Sequence, residues 1–222
     1  MNIWQFCVSL VAFYLLGSVP FGLIYSLIFG VDIRKVGSGN IGATNVSRQF
    51  GFFKGFLPVF VLDFLKGALP VIVIKSLGVN FIDIDLAMII AGFVAALGHI
   101  FPIYLGFKGG KGVATFAGMY FFIAPLESLL ALIAFLIVLF LSRLIYFFLN
   151  KEYRSGENPF TLFFSGLQKS VWISSISAAI VFPIAIFISE PFRMYLLVLS
   201  IITTFVVIFS HRKNIKEAIK RK

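Results

Sequence analysis

Long apolar runs alternate with short polar breaks along the whole chain. A helix needs roughly 20 apolar residues to cross about 30 Å of hydrocarbon. The runs that approach or meet this length are Ile3 to Phe29, Phe56 to Ile74, Leu86 to Leu105, Ser128 to Leu149, Val171 to Ile188 and Met194 to Ser210. A shorter run, Val113 to Ala124, stops at Pro125 and needs neighbours to cover its ends. The pattern predicts an all-α integral membrane protein: a seven-transmembrane-helix bundle forming a single polytopic membrane domain over residues 1–222. Mean hydropathy of +1.03 with 60% hydrophobic residues points the same way. The first run has no basic leader and is too long for the core of a cleavable signal.

Charge placement predicts the orientation. Of 19 Lys and Arg residues, most fall in alternate breaks: Arg34, Lys35, Arg48, Lys54, Lys108, Lys111, Lys151, Arg154, Lys169 and the tail from Arg212. The opposite set of breaks holds only Lys75 and Arg193. The positive-inside rule then places the N-terminus outside and the C-terminus in the cytoplasm. A pI near 9.9 does not imply nucleic acid, because the cations flank spans rather than line one face with stacking aromatics. Topology and anionic lipid head groups account for most of the excess. Inside the second span, Asp63 and Lys66 stand at i,i+3 on one helical face. Charges at that depth face a bundle interior, and a paired structural bridge is expected.

Three polar islands interrupt the apolar pattern on the predicted cytoplasmic side. The first, Gly37 to Arg48, offers Ser38, Asn40, Thr44, Asn45 and Arg48, which supply hydroxyl, amide and guanidinium groups for a phosphorylated polyol. The second contains Lys108, Gly109, Gly110, Lys111 and Gly112 ahead of a helix start near Val113. Bare glycine N–H groups, two lysines and a helix N-terminus all favour a phosphate. Gly112 stands where a Walker A loop needs Ser or Thr, so nucleotide hydrolysis loses its main support. The third places His211 and Asn214 on one helical face where the last span ends; nearby cations disfavour the protonated ring, and a general base needs the neutral one. His99, flanked by apolar residues, reads as buried and structural. A single cysteine, Cys7, excludes an intramolecular disulfide and a cysteine metal cluster, and two histidines are too few for a histidine-rich site. Asp83 and Asp85 read as a solvated turn with a helix-starting acid. No metal or cofactor is expected. Residues Asn150 to Lys169 read as a surface connection with a short interfacial helix around Phe160 to Leu167.

The segments GSGNIGATNVSR (Gly37 to Arg48), GHIFPIYLGFKGGKGVAT (Gly98 to Thr115) and HRKNI (His211 to Ile215) resemble the three signatures of the bacterial acyl-phosphate:glycerol-3-phosphate acyltransferases. Asp63-Phe64-Leu65-Lys66-Gly67 resembles that family's second span, and order and spacing agree over almost the whole chain. The start of the sixth span departs from the family's usual Tyr-Val-Ser-Leu-x-Ser, leaving Ser175 as the hydroxyl candidate there. The tail ends at Lys222 with no Gly-x-Glu, so no terminal carboxylate is carried over. The resemblance implies transfer of a fatty acyl group from acyl phosphate to the 1-hydroxyl of sn-glycerol 3-phosphate, giving lysophosphatidic acid and phosphate. It implies a multi-pass protein of the bacterial inner membrane with its active site facing the cytoplasm. Its partners would be the two substrates, membrane lipids and the upstream acyl-phosphate-forming enzyme. The leaving phosphate is assigned to Gly109, Gly110, Lys111 and Gly112, and the glycerol phosphate to Arg48, Lys108 and the Ser38/Asn40 loop. His211 and Asn214 orient the attacking hydroxyl, with the donor's own phosphate as the alternative base. The His-x4-Asp pair of acyl-CoA-using enzymes is missing, since Tyr104 and Lys216 stand five residues beyond the two histidines. The rivals are a transporter of a phosphorylated metabolite, which needs a polar outward opening, and a phosphoalcohol transferase, which needs clustered aspartates.

Overall fold

Pro20 breaks the first apolar run. Proline has no N–H and its ring clashes with a continuing helix, while the residue before it is held extended. Accordingly α1 (Ile3–Ser18) ends at an extended Val19 and α2 (Phe21–Ile28) restarts the same span. The computed structural model describes residues 1–149, 170–190 and 193–220. The expected interfacial helix around Phe160 to Leu167, with Lys151, Arg154, Lys169, Arg221 and Lys222, lies outside the described residues. After a 3-10 turn at Ile33–Lys35 come α3 (Ala43–Gly51), a π-helical turn (Phe52–Phe56) and α4 (Leu57–Leu77). There follow α5 (Ile84–Ile100), a 3-10 turn at Ile103–Leu105, α6 (Val113–Ile123), α7 (Pro125–Leu149), α8 (Val171–Ser189), α9 (Met194–Ser210) and α10 (Arg212–Lys220). Phe50–Gly55, between the first polar island and α4, is therefore helical throughout. Gly55 lets it pack against the Val46 carbonyl, and the Tyr25 hydroxyl donates to the Lys54 carbonyl. As expected for a helix-starting acid, Asp83 accepts the Leu86 N–H at 3.0 Å.

By length and composition, the described residues hold five helices able to cross a membrane, or six if α9 and α10, bent by 52°, count as one span. Seven were expected. The difference is α6, whose 11 residues reach only about 17 Å at 1.5 Å per residue. Gly112 starts it and Pro125 follows its end, so it cannot lengthen. Its Thr115, Phe116, Gly118, Met119, Tyr120 and Ile123 are buried, as a helix wrapped by protein rather than lipid can be.

The chain forms two compact units, Met1–Ser128 and Leu129–Lys222. Backbones touch at two crossings in the first unit. At the α1–α5 crossing, a Cβ on Gly17 would lie 2.0 Å from the Ala95 carbonyl oxygen, and one on Gly98 2.3 Å from that of Tyr14. At the α4–α6 crossing, Gly67 would meet the Thr115 carbonyl at 1.9 Å and Gly118 that of Phe64 at 2.0 Å. Lipid gives helices no hydrophobic reason to associate, so close contact between small residues carries the packing. The Met1 ammonium donates to the Gly78 carbonyl at 2.8 Å, which puts residue 1 beside the α4–α5 connection, at the far end of α4 from the 37–48 segment. In the second unit α8 and α9 pair, and the Thr204 hydroxyl reaches the Ala179 carbonyl. Between them runs an apolar groove of about 450 Å³ lined by Ile184, Phe187, Ile201 and Phe205.

Gly67→Ala must push α4 and α6 apart. We expect overpacking to cost about 1–3 kcal/mol, read as a lower thermal midpoint in detergent. Leu69→Ala, on the exposed face of the same helix, should move the midpoint much less.

Candidate active site

The first polar island folds around the buried Asn45 side chain. Its Nδ2 group lies 3.0 Å from the Ile33 carbonyl, 3.0 Å from Val36 and 2.9 Å from Asn40, and its Oδ1 accepts the Ser38 N–H at 2.9 Å. Two amide hydrogens thus serve three carbonyls, so Asn45 shapes the loop from within instead of reaching a ligand. Gly37 takes φ +58, and a Cβ there would sit 2.3 Å from Asn45 Oδ1 and 3.5 Å from the Arg48 stem. Asn40 turns the chain by accepting the Gly42 N–H at 2.9 Å. Gly42 then caps α3 with no side-chain hydrogen bond, which gives the positive helix end to an anion or solvent. Ser38 and Arg48 are exposed, while Asn40 and Thr44 are half-buried. Ahead of the loop, the Asp32 carboxylate accepts from Arg34 Nε and Nη2, both at 2.9 Å, and from the Arg34 N–H. That bonding lowers the Asp32 pKa from 3.8 to about 2. The pair is intact above the ordinary carboxylate value and is lost only as pH falls through about 2.

The second island is built by close approach. The N–H of Gly109 donates to the Ile100 carbonyl at 3.1 Å and that of Gly110 to His99 at 3.0 Å. These bonds close the C-terminus of α5, so the two amides are not offered to an anion, which differs from the sequence-based expectation. What both glycines supply is absence of bulk. A Cβ on Gly109 would meet the His99 carbonyl at 2.2 Å, and one on Gly110 would meet His99 Nε2 at 1.9 Å. Gly112, at φ +79, caps α6 without a side-chain bond. Lys108 is exposed and Lys111 half-buried. The two islands share an anchor: Leu105 packs on the cluster of Leu23, Ile33, Ile41, Ala43, Val46 and Val59. Both loops therefore sit at the same end of the first unit.

Beneath them lies a buried charged group. Lys66 Nζ is 2.9 Å from Asp63 Oδ1 and donates to the Val19 carbonyl at 2.9 Å, with the Phe21 ring centroid 5.2 Å away. The i,i+3 bridge expected from sequence is present. His99 Nδ1 approaches the same Oδ1 at 3.5 Å, long for a hydrogen bond but within electrostatic reach. This third member was missed. A signal existed: the charged pair needed further polar partners in hydrocarbon, and His99 is the one residue between Asp85 and Lys108 whose side chain can carry a charge near neutral pH.

The second unit contributes three candidates, each described within it. His211 ends α9 and is buried, with Nδ1 2.8 Å from the Val207 carbonyl. A carbonyl only accepts, so the neutral ring carries its proton on Nδ1 and its lone pair on Nε2. Asn214 is half-buried on the first turn of α10. Ser175 is buried and its hydroxyl donates to the Val171 carbonyl at 2.9 Å, one turn back, which commits its hydrogen to the helix.

Residues 7–148 match the family model described as glycerol-3-phosphate acyltransferase. The chain is 38% identical to the glycerol-3-phosphate acyltransferase of Aquifex aeolicus over 203 residues, covering 91% of this chain and 89% of that one. It is 38% identical to the enzyme of that name from Agrobacterium fabrum, covering 96% and 90%. Among solved structures it is similar to PlsY, an integral membrane glycerol 3-phosphate acyltransferase, in its glycerol 3-phosphate form (TM-score 0.74, 34% identity). The lysophosphatidic acid form of PlsY gives a TM-score of 0.75 with 32% identity, and both alignments cover 97% of this chain and 92% of the other.

The role of Asn45 is open to a near-isosteric test. Asn45→Asp turns two donors into an acceptor facing three carbonyls. We expect a thermal midpoint lower by several degrees and turnover reduced at least about ten-fold, given about 1–3 kcal/mol for each unsatisfied buried group. Asn40→Asp keeps its acceptor for Gly42 and should hold the midpoint.

Proposed function

The chain belongs to the glycerol-3-phosphate acyltransferase family, and we propose that it acylates the 1-hydroxyl of sn-glycerol 3-phosphate with acyl phosphate as donor. The products are lysophosphatidic acid and inorganic phosphate. One observation carries the reading of the site: two glycine-capped helix starts, Gly42 before α3 and Gly112 before α6, stand at one end of the first unit with cations beside each. Two phosphate-bearing substrates need two such anion sites. An acyl phosphate is already an activated mixed anhydride, so no covalent enzyme intermediate is required. The substrate hydroxyl attacks the acyl carbonyl, the new ester C–O bond forms, and the bond to the phosphate oxygen breaks.

Lys111 and the α6 N-terminus stabilise charge on the departing phosphate. Arg48, Lys108 and the Ser38/Asn40 loop hold the glycerol phosphate, with Thr44 beside the α3 N-terminus. His211, with its lone pair on Nε2, and Asn214 orient the attacking hydroxyl, and the proton passes to that nitrogen or to the donor's phosphate. Juxtaposing two bound substrates supplies about 7–11 kcal/mol, so a weak base suffices. The apolar groove between α8 and α9 has the chemistry of an acyl chain. No metal or cofactor takes part in this scheme. Charge bias supports an N-terminus outside and a cytoplasmic C-terminus, with α6 as a short crossing inside the bundle and the active site facing the cytoplasm of a bacterial inner membrane. The acyl-phosphate-forming enzyme is the upstream partner.

Purified protein should form lysophosphatidic acid from glycerol 3-phosphate and acyl phosphate. Product with acyl-CoA alone would overturn the donor assignment. Lys111→Met should lower kcat about 10²–10³-fold, and His211→Ala should cut turnover with both substrates saturating. Near-normal turnover in His211→Ala would remove it from the reaction. Thiol labelling of cysteines placed at residues 2 and 216, in cells, reads the orientation.

A further inference from the structure

Both anion loops rest on one buried charged group, and its connections run in two directions. Lys66 donates to the Val19 carbonyl at the Pro20 break. Three residues on, Gly22 abuts the first loop so tightly that a Cβ would lie 1.9 Å from the Ile41 carbonyl oxygen. In the other direction Asp63 faces His99 Nδ1 at 3.5 Å, the far edge of that ring lies under Gly110, and the His99 carbonyl accepts the Gly110 N–H. Asp63, Lys66 and His99 are 3%, 1% and 5% exposed, so none of them reaches a substrate. Ring rotation at His99 would lift Gly110, and with it Lys111 one residue later.

We propose that Asp63, Lys66 and His99 are positioning residues for acyl transfer: one buried relay fixes where the Arg48 loop and the Lys111 loop sit relative to each other. The Asp63 carboxylate aims the imidazole, the imidazole seats Gly110, and Lys66 ties both to the break that supports Ile41. This rests on the acyltransferase reading of the two loops. It adds a requirement that a merely structural salt bridge lacks: His99 needs an acceptor at position 63, whatever the net charge. A structural pair needs only charge balance, because replacing both buried partners with apolar groups is often neutral whereas removing one is not.

Two neutral double variants separate these roles. Asp63→Asn with Lys66→Met keeps an acceptor for Nδ1–H, and Asp63→Leu with Lys66→Met removes it at similar volume. Thermal midpoint, kcat and KM for glycerol 3-phosphate are measured on purified protein in detergent. Both doubles should melt above the single Lys66→Met, which leaves a lone buried carboxylate. The Asn double should turn over at least ten-fold faster than the Leu double, with the difference in kcat and in KM for glycerol 3-phosphate. Equal turnover in two folded doubles would overturn the proposal. Should the Leu double not fold, His99→Asn and His99→Leu carry the same contrast, since only Asn places a donor toward Asp63; equal turnover there also overturns it. An inactive wild-type protein would instead sink the acyltransferase reading, so the two failures are distinct.

Discussion

In hydrocarbon every backbone polar group must find its partner inside the protein. The break at Pro20 violates that economy, because it frees the end of α1 in the middle of a span. The Lys66 ammonium answers it: it meets the Val19 carbonyl at the negative end of the α1 dipole and is neutralised by Asp63. Neither element makes sense alone. A lone lysine in α4 would be too costly to bury, and an uncapped helix end in the bundle would be nearly as bad. The break lets α2 turn toward the first polar loop, so the cost is met where the loops must be placed.

The glycines of the two loops look alike in sequence and act differently. Gly42 and Gly112 open helices without a side-chain cap. Gly109 and Gly110 have their amides committed to α5 and serve by lacking a side chain, as Gly67 and Gly118 do where α4 crosses α6. An anion-binding loop needs both kinds: some residues present charge, and others let the chain come close enough to be held rigid.

Much of this was readable before any coordinates. The apolar runs, the Asp63–Lys66 bridge and the two glycine-rich islands follow from residue type and spacing. The α6 limit was half visible in Pro125, but composition cannot say whether a short apolar run is covered by lipid or by protein. From sequence Asn45 reads as a ligand group, because an exposed loop amide and a buried one have the same letter; only the three carbonyls around its Nδ2 tell them apart. His99 reads from sequence as buried and structural, and its approach to Asp63 depends on how α4 and α5 face each other, which no local pattern carries. The same limit applies to the π-helical turn at Phe52–Phe56, where ring stacking of Phe52 on Phe56 and Phe56 on Phe60 favours continuing the helix.

The length of α4 has a consequence for traffic. Its 21 residues extend about 32 Å, close to the thickness of the hydrocarbon layer, so a bilayer centred on α4 would set the 37–48 loop near its boundary. On the acyltransferase reading proposed above, a greasy chain would slide in from, and return to, its own leaflet without ever being solvated. The small polar reactant would arrive from water, and the two would meet in the thin layer where neither has to leave its preferred medium.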